Sequence, residues 1–296
     1  MTLNSDTWSL WEESMLEKIS TMEIMPKPYP YYYVDQFFPR EMYDLMLKYW
    51  PSEESFWGQG DIADEPLTHK EANFRKIVLL EDAADFHADV VAKKFWEKTR
   101  EILLGKGLVE VFVTRCLEFI KEERPDKDWS KFDLWSDALL QSDREGYQLG
   151  PHHDSNHALF SNIIYLPDMG DDPGMGTIVY RPKPEFKEIQ TDIGVDYDNI
   201  YHEPKNFDAI YKAPYKANCM FGFINSPRAF HGLDKIDKTE TRRRNILWSI
   251  TLNPKKPYKS VYKRLEKGNL DRLSGDIEPY SNESSLFAKL IKLKGI

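Results

Sequence analysis

The sequence predicts an α+β protein with a mainly β core: helices come first, followed by an antiparallel barrel or double sheet. Three observations carry that reading. Up to about residue 132, apolar residues recur at helical spacing. From about residue 133 the chain becomes short apolar runs broken by Gly, Pro, Asp and Asn. Those runs do not alternate with helical segments, as the βαβ units of a parallel sheet would require. The 296 residues, 41% of them hydrophobic, suffice for a large core, and barrels or sandwiches of this size often fold as one unit.

Taken in order, YYYVDQFF reads as a strand entering a helix. Pro39 opens that helix, and Met42, Leu45, Met46 and Tyr49 share one of its faces. Residues 82–104 read as a longer amphipathic helix and residues 108–122 as another. DALLQS, NIIYLP, GTIVYRP, CMFGFIN and NILWSITL each read as a strand. Residues 183–216, polar and rich in Pro, Asp and Tyr, read as one long loop of the size that is often functional, such as a lid. The expected layout is a helical support region over 1–132, a β core over 133–254, and a tail over 255–296 that opens with the basic stretch KKPYKSVYKRLEK. Together they are expected to form one compact domain.

Composition excludes several roles. The formal charge is −9 and the main body carries no basic stripe, which argues against nucleic acid as a partner; the basic stretch reads as solvated surface. No run of about 18 apolar residues is present, so no membrane span is expected. The first twenty residues are acidic and amphipathic and do not resemble a signal peptide. Cys116 and Cys219 alone give no disulfide framework, so a cytoplasmic setting is expected. Oligomeric state is not legible.

The most informative segment is Gly146-Tyr147-Gln148-Leu149-Gly150-Pro151-His152-His153-Asp154. On a strand, residues i and i+2 point to one face, so His152 and Asp154 can reach one metal from the same side. Non-haem Fe(II) sites need two imidazoles and a carboxylate on one face of the octahedron, with the opposite face open. Taken alone, the H-x-D pair occurs by chance in many proteins. His153 faces the other way, and His157 and His202 read as loop residues. A candidate third ligand is His231, which closes the run after CMFGFIN and is followed by Gly232. The next segment, Thr241-Arg242-Arg243-Arg244-Asn245-Ile246-Leu247-Trp248, carries arginines into the last core strand. An inward arginine is costly unless paired, and it suits a dicarboxylate ligand, because a guanidinium grips a carboxylate with two prongs.

In this order, H-x-D, Y-L-P, G-T-x-x-Y, F-H-G and an Arg about a dozen residues further on, the chain resembles the 2-oxoglutarate/Fe(II) dioxygenase superfamily in its prolyl-hydroxylase-like branch, over roughly residues 138–252. The resemblance implies a double-stranded β-helix (a cupin-like jelly roll) supported by N-terminal helices. It implies His152, Asp154 and His231 as iron ligands, and an arginine of the 242–244 run as partner of the 2-oxoglutarate C5 carboxylate. Counting back from Trp248 favours Arg243, with Asn245, Leu247 and Ser249 also inward; a one-residue register change would substitute Arg244. Tyr165, Tyr147 and Asn162 fall where the branch lines the co-substrate pocket. Arg228 suits either an anionic substrate or the surface.

The resemblance further implies Fe(II), 2-oxoglutarate and O2 as cofactor and co-substrates. 2-Oxoglutarate would go to succinate and CO2 while a C–H bond is hydroxylated or otherwise oxidised. Related halogenases lack the carboxylate, so Asp154 argues against halogenation. A small-molecule substrate or biosynthetic intermediate is favoured over a peptide. The competing readings are a cupin-like metalloprotein or metal-dependent sensor without 2-oxoglutarate turnover, and a non-catalytic interaction domain.

Overall fold

A computed structural model describes residues 3–58, 74–125, 132–154, 158–186, 201–237 and 242–254. Fifteen elements follow in chain order: α1 (Ser5–Thr21), β1 (Tyr31–Val34), α2 (Arg40–Lys48), β2 (Trp57–Gly58), β3 (Arg75–Leu79), α3 (Val90–Leu103), α4 (Lys106–Glu123), β4 (Phe132–Asp143), β5 (Leu149–His152), β6 (Ala158–Tyr165), β7 (Ile178–Pro182), β8 (Phe207–Lys212), β9 (Cys219–Ile224), β10 (His231–Leu233) and β11 (Arg243–Pro254).

Every pairing is antiparallel. The larger sheet runs β1-β9-β6-β11-β4-β3-β2 and the smaller β5-β10-β7-β8. From β4 to β11 the chain moves between the two sheets so that β4, β6, β9 and β11 build one wall and β5, β7, β8 and β10 the other. That winding is a jelly roll, the double-stranded β-helix the resemblance implies. β1, β2 and β3, from the stretch expected to be mainly helical, extend the larger sheet at both edges.

Helix faces form one core against the outer side of the large sheet. In α1, Trp8, Trp11, Met15 and Ile19 recur every three to four residues and are buried, and Asn4 caps the helix by accepting from Thr7 N–H at 2.9 Å. In α4 the buried stripe Leu108, Phe112, Cys116 and Ile120 does the same. Trp248 joins these helices, its ring 5.2 Å from Phe112. A second core, including Tyr29, Tyr147, Ile163, Tyr165, Val179, Phe221 and Phe223, lies on the opposite face of that sheet. Cys116 and Cys219 are buried free thiols.

Two sequence expectations change. The helix expected over 82–104 starts at Val90, because the Asp89 side chain caps Val91 N–H at 2.9 Å; before it, Ala83–Phe86 make a 3-10 turn. The segment 183–216 is not one loop: β8 pairs with β7 along five register positions. β8 is an edge strand with only Phe207 buried, so it lacks a strong apolar alternation. Residues 187–200 of the expected lid lie outside the described residues, as does the basic tail from 255 onward. Among the described residues, no helix is long and apolar enough to cross a membrane.

Candidate metal and anion site

β10 lies between β5 and β7, and its register places His231 directly opposite His152. The strands approach closely at Gly232, where a Cβ would come within 2.5 Å of Leu149 O. Only glycine permits that approach, which answers why Gly follows His231 in the sequence. The two imidazole rings are 4.2 Å apart.

Each ring is oriented by its own strand. His152 Nδ1 bonds Gly150 O at 2.9 Å, and His231 Nδ1 bonds Ala229 O at 3.0 Å. A carbonyl only accepts, so both Nδ1 atoms carry the hydrogen and both Nε2 atoms present lone pairs. Asp154, two residues past the end of β5, brings Oδ1 to 3.9 Å from His152 Nε2 and 3.6 Å from His231 Nε2. Its other oxygen, Oδ2, accepts from the Ser161 hydroxyl. One ligand atom from each of the three residues falls within 4.8 Å of the others. The donor set fits a first-row divalent metal held on one face.

Electrostatics agree with that use. Burial, helped by neighbouring His231, pushes the His152 imidazole down to about 3, so it is neutral and able to ligate at ordinary pH. Burial alone would raise the Asp154 carboxyl, but His231, His152 and the Ser161 hydroxyl hold it below its ordinary value.

The triad opens into a cavity of about 290 Å³. At one end of that cavity stands a buried ion cluster. The wholly buried Asp143 carboxylate accepts from Arg75 Nη2 at 2.9 Å and from Arg243 Nη1 at 2.7 Å, and Arg243 Nε donates to Met175 O at 2.7 Å. The Tyr147 ring lies 4.2 Å from the Arg75 guanidinium. Two guanidiniums share one carboxylate, so this end keeps one net positive charge. Asn245, two residues along β11 from Arg243, is wholly buried in the cavity wall, and neither of its amide atoms has a partner among the described residues. A buried, unpaired amide of this kind calls for a ligand or water.

The structure therefore brings His152, Asp154, His231 and Arg243 to one cavity. Strand alternation sends Asn245, Leu247 and Ser249 to the same wall, as counted from Trp248. Arg244 points away: it pairs with Asp168 and stands 5.8 Å from the Trp50 ring. Asn162 is corrected as well. Its amide accepts from Tyr32 Oη at 2.7 Å and donates to Trp248 O at 3.2 Å on the helix side of β6, because the neighbours Ser161 and Ile163 take the cavity side.

Tyr165 is on the cavity side, but its hydroxyl donates to Thr177 Oγ1 at 2.9 Å, and Thr177 is what lines the cavity. Tyr147 packs under Arg75 and does not itself line it. Arg228 is engaged by Glu123 on α4. His153 turns to Phe230 and His202 packs on Phe207. Sequence reasoning missed Arg75, Asp143 and Ser161. Arg75 opens β3 beside Lys76, and Asp143 closes β4, which also carries Asp133 and Asp137, so neither stands out locally and only the register Arg75↔Asp143↔Arg243 reveals them.

No protein-family model matches the chain, and no curated protein matches it. Among solved structures, it is similar to a prolyl 4-hydroxylase of Phytophthora capsici (12% identity, 88% of this chain and 68% of that chain, TM-score 0.43). It is similar also to a prolyl-4-hydroxylase of Pseudomonas putida (8%, 81% and 98%, 0.42). A third is the nogalamycin epimerase SnoN, solved with Fe3+ and alpha ketoglutarate (12%, 95% and 96%, 0.42). At such identities and TM-scores, what the site can do is decided by its own side chains.

Proposed function

We propose that this chain is an Fe(II)- and 2-oxoglutarate-dependent dioxygenase that oxidises a C–H bond of a small molecule. One observation carries the reading: a single cavity holds a two-histidine, one-carboxylate triad and, beside it, a buried arginine pair with one uncompensated positive charge. A metal alone does not need that cationic end. A ligand with a carboxylate to anchor does.

In this reading, iron with 2-oxoglutarate and O2 supplies the oxidation, one oxygen atom leaving in succinate as CO2 departs and the other passing to the substrate. The chain provides the rest. His152 and His231 offer Nε2 and Asp154 offers Oδ1, each fixed by its second hydrogen bond. Arg243, braced by Asp143 and Met175 O, receives the distal carboxylate of 2-oxoglutarate. Arg75 keeps Asp143 neutralised so that Arg243 retains charge for the ligand. Asn245 has donor and acceptor free for the same ligand or its water. Ile163 and Leu247 line the cavity with apolar surface, which strengthens these contacts by limiting water.

The test is anaerobic addition of Fe(II) and 2-oxoglutarate to the purified protein. A weak visible charge-transfer band is expected, absent in His152→Ala and weakened in Arg243→Ala. Iron binding without the band would instead favour a cupin-like metalloprotein that does not use 2-oxoglutarate.

A further inference from the structure

Across β3, β4 and β11 the cavity-side residues form the rungs of a ladder. Arg75, Asp143 and Arg243 make the first; Ile77, Gln141 and Asn245 the second; Leu79, Leu139 and Leu247 the third. The fourth pairs Asp137 with Ser249. Beyond β3, Leu80 N–H still bonds Ala138 O at 2.9 Å, which brings Glu81 alongside Asp137. Among the described residues, the only cations lining the cavity are Arg75 and Arg243, at the first rung. Asp137 lines it at the fourth rung with Ser249.

Asp137 makes no ion pair among the described residues. Burial pushes its carboxyl up to about 6. Glu81 has a buried Oε2 without a hydrogen-bond partner, and the charges that bear on it are Asp137, Asp82 and Arg100. Both side chains are half-buried, and a carboxylate partly shielded from water without a cation beside it gains from one that pairs with it. Asp137 and Ser249 line the same cavity as the metal triad, two rungs beyond the Asn245 amide that serves the cationic end.

The acidic rung is also level with the metal triad. Ser161, which bonds Asp154, pairs with Ser249, which pairs with Asp137. Two strand spacings, roughly 10 Å, separate Ser161 from Asp137 at the backbone. Side chains reaching in from both sides shorten that interval further, so a cation held at Asp137 would stand close to the triad.

We propose that Asp137, backed by Glu81, is the substrate-recognition residue of this cavity, and that the substrate is a small organic cation, a protonated amine or amino sugar. It is oxidised at a carbon a few bonds from its nitrogen. The inference rests on the iron and 2-oxoglutarate reading above. The acidic rung attracts the amine and repels dicarboxylates, so the two ends of the cavity sort the two ligands by charge.

The test uses cadaverine and glucosamine against the uncharged 1-pentanol and N-acetylglucosamine, each added to the anaerobic protein with Fe(II) and 2-oxoglutarate. The cations are expected to perturb the charge-transfer band and raise the melting temperature, and the neutral compounds to do neither at equal concentration. Asp137→Asn should weaken the cation response at least tenfold while keeping the band formed by Fe(II) and 2-oxoglutarate alone. Glu81→Gln should weaken it severalfold, and it serves if Asp137→Asn does not fold. Equal response to cations and neutrals, no response to either cation, or an unchanged response in both variants overturns the inference. If no band forms in the parent protein, the iron and 2-oxoglutarate reading fails, and the cation-dependent melting temperature still tests Asp137 by itself.

Discussion

His231 and His152 stand opposite each other on paired strands, with their rings 4.2 Å apart and each Nδ1 bonded to a carbonyl of its own strand. The spacing depends on Gly232, which allows β10 to lie against the Leu149 carbonyl. Gly232→Ala should therefore separate the two rings without touching either. Iron affinity is expected to fall by about 10–100-fold, the range seen when groups that orient ligands are lost. Calorimetric titration with Fe(II), alongside circular dichroism to verify folding, measures this; unchanged affinity would mean that the strands can part without moving the histidines.

Removing Arg243 leaves Asp143 with only Arg75. Arg243→Ala should destabilise the protein by on the order of 3 kcal/mol, as for other buried pairs broken on one side, and should weaken 2-oxoglutarate binding as well. Arg244→Ala, whose partner Asp168 is half-exposed, should do neither to a comparable extent. Urea unfolding together with 2-oxoglutarate titration separates the two arginines.

Arg228 offers a control outside the cavity. It pairs with Glu123, whose side chain is 1% exposed, while the arginine itself is 47% exposed. Arg228→Ala should lower stability by about 1–2 kcal/mol, less than a fully buried pair because solvent screens the arginine. The 2-oxoglutarate band should be unaffected. A loss of the band with unchanged stability would place Arg228 at the ligand instead.

The low pKa of His152 gives the metal-free protein a pH dependence. The folded value of about 3 lies below the ordinary 6.5, so the unfolded chain takes up the proton first. The stability from this group is complete above about 6.5 and is lost as pH falls towards 3, a total on the order of 3–5 kcal/mol. Urea midpoints in the presence of a chelator, measured from pH 7.5 to 4.5, should fall more steeply for the parent than for His152→Ala.

Asp137 has the opposite sign. Its folded value of about 6 lies above the ordinary 3.8, so folding favours the protonated form. Its contribution is complete below 3.8 and is lost as pH rises through 6. Asp137→Asn should thus be more stable than the parent at pH 8, by on the order of 1 kcal/mol or about 2–4 °C in Tm, and indistinguishable from it at pH 4. Thermal scans at the two pH values decide the matter.

The sequence was most legible where a long periodic strand carries its own reference point. In β11, the large buried Trp248 fixes one face as helix-side, and the alternation then assigns Arg243, Asn245, Leu247 and Ser249 to the other. It was least legible where strands are too short to show a period. β5 reads Leu-Gly-Pro-His and β10 His-Gly-Leu, so neither strand nor their pairing was read from the sequence, and only the two histidines stood out. Asn162 was placed with the pocket residues without weighing the alternation of β6, which puts it on the face opposite Ser161 and Ile163. Arg75 and Asp143 meet Arg243 only through pairings between segments up to 100 residues apart, and nothing local in either segment announces them.

β4 and β11 pair without interruption over twelve positions, from Arg243↔Asp143 to Pro254↔Phe132. Such a ladder acts as a ruler. Its rungs fix the interval between the cationic and acidic poles at roughly 20 Å of backbone, and a paired strand has little freedom to stretch or bend it. With the dicarboxylate held at one pole, a cation held at the other can approach the metal from one direction only, so the wall itself sets which carbon, and which face of that carbon, meets the metal. Changing the position of oxidation would then require moving a charge by whole rungs of about 7 Å, a coarse step that the surrounding loops cannot make.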